Sequence, residues 1–154
     1  MKLLKKILLL LLVVFLVIQF IRPERNTNST LLPADISKTV YVPGNVSVIL
    51  KNSCYDCHAN YTRYPWYMNI QPIGWLMADH IKEGKSDLNF SEFGNYSKRK
   101  QTNKLRNIET TIMEGEMPVS SYTALHRDAK LNEAEKKLIS EWVSAAKDSI
   151  ALKN

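Results

Sequence analysis

Both cysteines of this chain fall in one five-residue stretch, Cys54-Tyr55-Asp56-Cys57-His58, and that limits what can hold the fold together. No thiol is left to staple distant loops, which argues against a disulfide scaffold. A structural zinc site usually wants four protein ligands, and neither His80 nor His126 has a second Cys or His beside it. A thioredoxin-like dithiol calls for a strand-helix-strand context, which the surrounding pattern lacks. Cys-x-x-Cys-His does suit covalent attachment of haem: two thiols spaced to add across two vinyl groups, with the adjacent histidine carried under the iron. Cys54 and Cys57 are therefore the expected thioether residues and His58 the expected axial ligand. Tyr55 and Asp56 fill the bridge, and one covalent haem c is the expected cofactor.

At the N-terminus, Lys2, Lys5 and Lys6 precede an apolar run from Ile7 to Ile18, extended past Gln19 by Phe20 and Ile21. No small-residue cleavage signature follows before Arg22-Pro23-Glu24-Arg25, so residues 1–22 read as an uncleaved membrane anchor in preference to a cleaved signal peptide. The lysines would keep that end in the cytoplasm, giving a single-pass protein of the bacterial inner membrane with its domain on the periplasmic side. Residues 23–42, turning to Asn, Thr, Ser and Pro, read as a linker. Residues 43–148 remain for one small domain, a size at which a core gains from a large apolar cofactor. The net charge of +6 suggests an acidic redox partner beside the membrane itself, and nucleic-acid binding would conflict with export. Lys98, Arg99, Lys100, Lys104 and Arg106 are the densest basic cluster, a solvated face or a docking patch.

The domain reads as all-α, about four helices around one haem. Asn45 to Ser53 fits a helix or a strand. Ile73 to Glu83 brings Ile73, Leu76, Met77, His80 and Ile81 to one face, with Gly84 standing where a left-handed cap is wanted. Leu105, Ile108 and Ile112 mark a helix from near Ser97 to Gly115, and Asn132 with Glu135 forms a capping box ahead of Leu138, Ile139, Trp142, Val143 and Ala146.

Two residues compete for the other side of the iron. Met117 precedes Pro118 in a loop, where proline favours an extended residue before it, and a thioether favours ferrous iron. His80, on an apolar helix face, would instead give bis-histidine ligation, and an open position is a third possibility. Arg63 is a candidate partner for a haem propionate, with Tyr64, Trp66 and Trp75 as haem-edge contacts or ordinary core. His126, amid Arg127, Asp128 and Lys130, reads as solvated.

The motif position, the final helix and Met117, roughly sixty residues after His58, resemble class I cytochromes c. A narrower resemblance is to the small bacterial haem-binding domain family. It runs from about Val42 to Val143 and is carried by Ser53 to His58, Thr62-Arg63-Tyr64-Pro65-Trp66-Tyr67, Asp79-His80, Leu88-Asn89-Phe90-Ser91, Glu114 to Pro118, Ser121-Tyr122, and Leu131 with Glu133, Glu135 and Trp142. That resemblance implies haem held through Cys54, Cys57 and His58 and leaves the distal ligand open. The expected function is electron transfer by a membrane-anchored monohaem cytochrome without substrate chemistry of its own. A haem-based sensor or a peroxidase-like protein with an open distal site is the alternative.

Overall fold

The computed structural model describes residues 2–152. Helices dominate: α1 (Lys2–Ile18), α2 (Ile36–Thr39), α3 (Gly44–Ser53), α4 (Tyr55–His58), α5 (Ile73–Asp87), α6 (Lys98–Met113), α7 (Ser120–Thr123) and α8 (Glu133–Leu152), joined by three short 3-10 turns. Among the described residues no strand forms, and the only ladder contact is an isolated bridge between Thr27 and Tyr61. The stretch that fitted helix or strand is helical, because Val46, Ile49 and Leu50 must turn to one side to be buried.

The main core lies between α3, α6 and α8. Val46, Ile49 and Leu50 from α3 meet Leu105, Ile108 and Ile112 from α6 and Ile139, Trp142, Val143, Ala146 and Ile150 from α8. The long helices begin where their capping residues stand. The Ser97 hydroxyl accepts from Lys100 N. Asn132 Oδ1 accepts from Glu135 N at 3.0 Å while Glu135 Oε2 accepts from Asn132 N at 2.9 Å, the reciprocal capping box. Gly115, at φ 76°, takes the left-handed position after α6, and the amides of Glu116 and Met117 both bond back to Thr111 O.

Gly84 does not cap α5. The helix continues to Asp87 and Leu88 closes it, while Gly84 gives the close approach of α5 to α4. A Cβ there would stand 2.8 Å from the Cys57 carbonyl oxygen. The apolar face of α5 is also narrower than its pattern: Met77 and Ile81 are buried, whereas Ile73 and Leu76 are exposed.

The expected membrane anchor is corrected. Among the described residues no helix is long and apolar enough to cross a membrane. Helix α1 has 17 residues, about 26 Å at 1.5 Å per residue, against a hydrocarbon core of roughly 30 Å. Lys5 and Lys6 also charge its opening turns. It stops at Ile18 because Gln19 is engaged elsewhere: its amide nitrogen donates to Phe15 O and Gln71 O, and its carbonyl accepts from Gln71 N at 2.9 Å. Phe20 and Ile21, expected to lengthen the span, leave the helix through i to i+3 turns. The inner-membrane, single-pass placement and the membrane as partner fall with the anchor.

Within residues 23–42, expected as a linker, residues 27–31 are exposed, but both ends of the segment are tied to the domain. Ile36 and Val40 are core residues, and the Asp35 carboxylate caps α2 through Ser37 N. Asn26 is the centre of this strap: Nδ2 donates to Ala59 O and Thr62 Oγ1, the backbone N–H donates to Tyr64 Oη, and Oδ1 accepts from Lys85 Nζ at 2.7 Å.

Candidate haem site

The motif sits at a break between two helices. Cys54, at φ −128° and ψ −41°, ends α3 and opens α4, and its carbonyl accepts from both Cys57 N and His58 N. That single turn carries both cysteines and His58, but of the three only Cys54 and His58 line the neighbouring cavity, while Cys57 lies against Gly84 of α5. Both cysteines are free thiols. Burial, with the neighbouring thiol adding to it, pushes Cys54 up to about 12. Burial and then the Asp56 charge push Cys57 up to about 11. Both thiols therefore carry less thiolate in the folded chain than in an open one.

His58 is held by its far nitrogen. Nδ1 lies 3.0 Å from Leu88 O, and since a carbonyl can only accept, Nδ1 carries the proton and Nε2 keeps its lone pair for a metal. Phe90 meets the ring edge-on at 6.1 Å and stacks on Tyr55 at 5.1 Å.

Cys54, His58 and Met117 line one cavity of about 120 Å³. Its walls are largely apolar, with Leu88 and Phe90 on one side, Ile108 and Ile112 from α6 on another, and Leu131 near Met117. Met117 is 40% exposed and stands at the rim. An apolar slot that gathers a thiol, an oriented imidazole and a thioether fits a haem in donor set and in polarity.

His80 is not among the residues lining this cavity. It lies one turn before Gly84 on α5, with Nδ1 buried and without a hydrogen-bond partner. Arg63, Tyr64, Trp66 and Trp75 are also absent from the lining, and three of the four are committed elsewhere. The Arg63 guanidinium bonds both oxygens of Asp56. Tyr64 Oη accepts from Asn26 N, and Trp75 Nε1 donates to Ile21 O at 2.7 Å. Trp66 is 74% exposed.

Asp56, treated in the sequence as bridge filler, is a buried anchor. Its carboxylate accepts from the Arg63 amide, the Arg63 side chain and the Tyr122 hydroxyl, the last at 2.7 Å, while its carbonyl accepts from Thr62 Oγ1 at 2.6 Å. Hydrogen bonding to Asp56 raises the Arg63 pKa. Burial first, and then the bond to Asp56, raises that of Tyr122. His126 is half-buried and not solvated: it stacks on Tyr122 at 4.0 Å, and Nε2 meets Tyr67 Oη at 3.0 Å. The bond from His58 to the Leu88 carbonyl and that from Tyr122 to Asp56 carried no local signal, since they join residues 30 and 66 positions apart.

A family model described as haem-binding domain matches residues 13–145, which is most of the chain. The protein belongs to the haem-binding domain family. Membership makes haem the cofactor. No curated protein and no solved structure matches the chain, so the likeness to class I cytochromes c gains no support from those comparisons.

Proposed function

We propose that this member of the haem-binding domain family is a monohaem c-type electron carrier, with thioethers at Cys54 and Cys57 and with His58 and Met117 as axial ligands. The observation that carries the reading is the meeting of Cys54, His58 and Met117 on one apolar cavity. Haem supplies a one-electron couple when bound. The chain's own contributions are distinct from it. The Leu88 carbonyl fixes the His58 tautomer and makes Nε2 a stronger donor. The Met117 thioether is a soft ligand that favours the reduced state. Leu88, Phe90, Ile108 and Ile112 exclude water. His58 Nε2 and the Met117 thioether would hold the iron, and a redox partner protein would take or give the electron.

The test is a haem stain and a pyridine haemochrome spectrum on protein made with a cytochrome c maturation system. One covalent haem per chain is expected, and none in Cys54→Ser with Cys57→Ser. A wild-type chain without covalent haem would overturn the reading. Met117→Ala is expected to keep the covalent haem while changing its spectrum and lowering its potential.

The exposure of Met117 at the rim favours a second reading, a sensor or peroxidase-like protein in which the thioether is displaced by a small ligand. Rapid carbon monoxide binding by the reduced wild type at neutral pH decides for it, and slow or absent binding decides for the carrier.

A further inference from the structure

We infer that Lys104 binds a haem propionate and that Asp87 occupies its place until haem arrives. This rests on the cavity described above being the haem site. A haem brings two carboxylates to one edge, and each needs water or a cation. Among the residues lining the cavity, Lys104 is the one lysine or arginine. It belongs by sequence to the basic cluster at the start of α6 but is set apart from it, lying on the inward face with Asn107, Ile108 and Thr111 at helical spacing.

The ion pair that Lys104 makes is lopsided. Its Nζ lies 2.6 Å from Asp87 Oδ1, yet the lysine side chain is 15% exposed and the aspartate 67%. A lysine whose side chain is largely covered by protein gains from an anion beside its ammonium, because the water it has lost must be replaced. A carboxylate that faces solvent loses little when released to water. Exchange of Asp87 for a propionate therefore satisfies Lys104 and strands nothing. Asp87 also lines the cavity and directly precedes Leu88, whose carbonyl orients His58, so the exchange takes place beside the proximal ligand. The competing cations are Arg127, Lys130 and Lys136, which line a separate, more open depression that shares Met117, Pro118 and Leu131 with the cavity.

The test uses the Cys54→Ser/Cys57→Ser chain, titrated with haemin and with its dimethyl ester, which has no carboxylates. Haemin is expected to bind roughly tenfold tighter or more, the scale of one charge-assisted bond. Lys104→Gln should abolish that preference and Lys104→Arg restore it. Asp87→Asn, which frees the lysine, should enlarge it. In the covalent holoprotein, a readout that does not need non-covalent binding, Lys104→Gln should lower the midpoint potential, because an unpaired carboxylate favours ferric iron. The inference is overturned if Lys104→Gln keeps both the preference and the potential, or if Arg127→Ala with Lys130→Ala removes them instead. Absence of covalent haem from the wild type would sink the c-type reading and leave the ester comparison standing.

Discussion

Replacing Gly84 by alanine sets two known effects against each other. In an ordinary helix interior the change is favourable by about 1 kcal/mol, since glycine is the poorer helix former. Here the new Cβ would lie 2.8 Å from Cys57 O and 3.3 Å from both the Cys57 carbonyl carbon and its Cβ. Real Cβ atoms do not approach other heavy atoms so closely, and the obstacle is backbone, not the tip of a flexible side chain. Nor can α4 retreat freely: Cys54 O holds the amides of Cys57 and His58, and Asp56 is held by Arg63 and Tyr122. Overpacking of this kind costs about 1–3 kcal/mol. The net expectation is a loss of about 1 kcal/mol, reaching about 2 kcal/mol if α4 stays in place. Urea unfolding of the apoprotein measures it, with Gly44→Ala as control, because nothing lies within 4 Å of that position. The haem spectrum should shift in Gly84→Ala as well, since His58 follows Cys57 directly. A Gly84→Ala protein as stable as wild type, with an unchanged spectrum, would refute the claim that α5 is pressed against the motif.

Asp56→Ala leaves the Tyr122 hydroxyl and the Arg63 amide without their acceptor, and is expected to cost about 2 kcal/mol in urea unfolding, with solvent screening the half-exposed Arg63 charge. Tyr122→Phe, losing one bond, should cost about 1 kcal/mol. The thiols make apoprotein stability depend on alkaline pH. Burial raises Cys54 and Cys57 from 9.0 to about 12 and about 11, so the unfolded chain releases these protons first. Stability from this source is whole below pH 9.0 and is lost as pH rises through the folded values, a fall in urea midpoint that Cys54→Ser/Cys57→Ser should not show. His80→Ala is expected to leave the haem spectrum unchanged, because the residue does not line the cavity; a spectral change like that of Met117→Ala would make it the ligand. Asn26→Ala should speed alkylation of the native thiols by iodoacetamide relative to wild type.

The parts legible in the sequence are those governed by neighbours. Asn132 and Glu135 announce the start of α8 because a capping box is complete within four residues. Leu105, Ile108 and Ile112 share a face by helical geometry alone. Gly84 was misread because a glycine at the end of a periodic run looks like a cap, and only the approach of α4 reveals its other use. The N-terminal run was overextended for a similar reason, since Phe20 and Ile21 are apolar but Gln19 is tied to Gln71. Arg63 illustrates the limit for charges: the sequence says a guanidinium is present, and the fold decides that Asp56 receives it.

The strap at Asn26 bears on timing. Its bond to Thr62 spans 36 positions and closes a loop that contains the entire Cys-x-x-Cys-His stretch. Contacts of such separation carry a closure entropy and form late relative to local helices. Before closure the two thiols belong to an open chain; afterwards both are half-buried and their pKa values are raised. Thioether formation, where it occurs, is therefore helped by a loop that is still open, and the residue that closes the loop lies almost thirty positions upstream of the first cysteine.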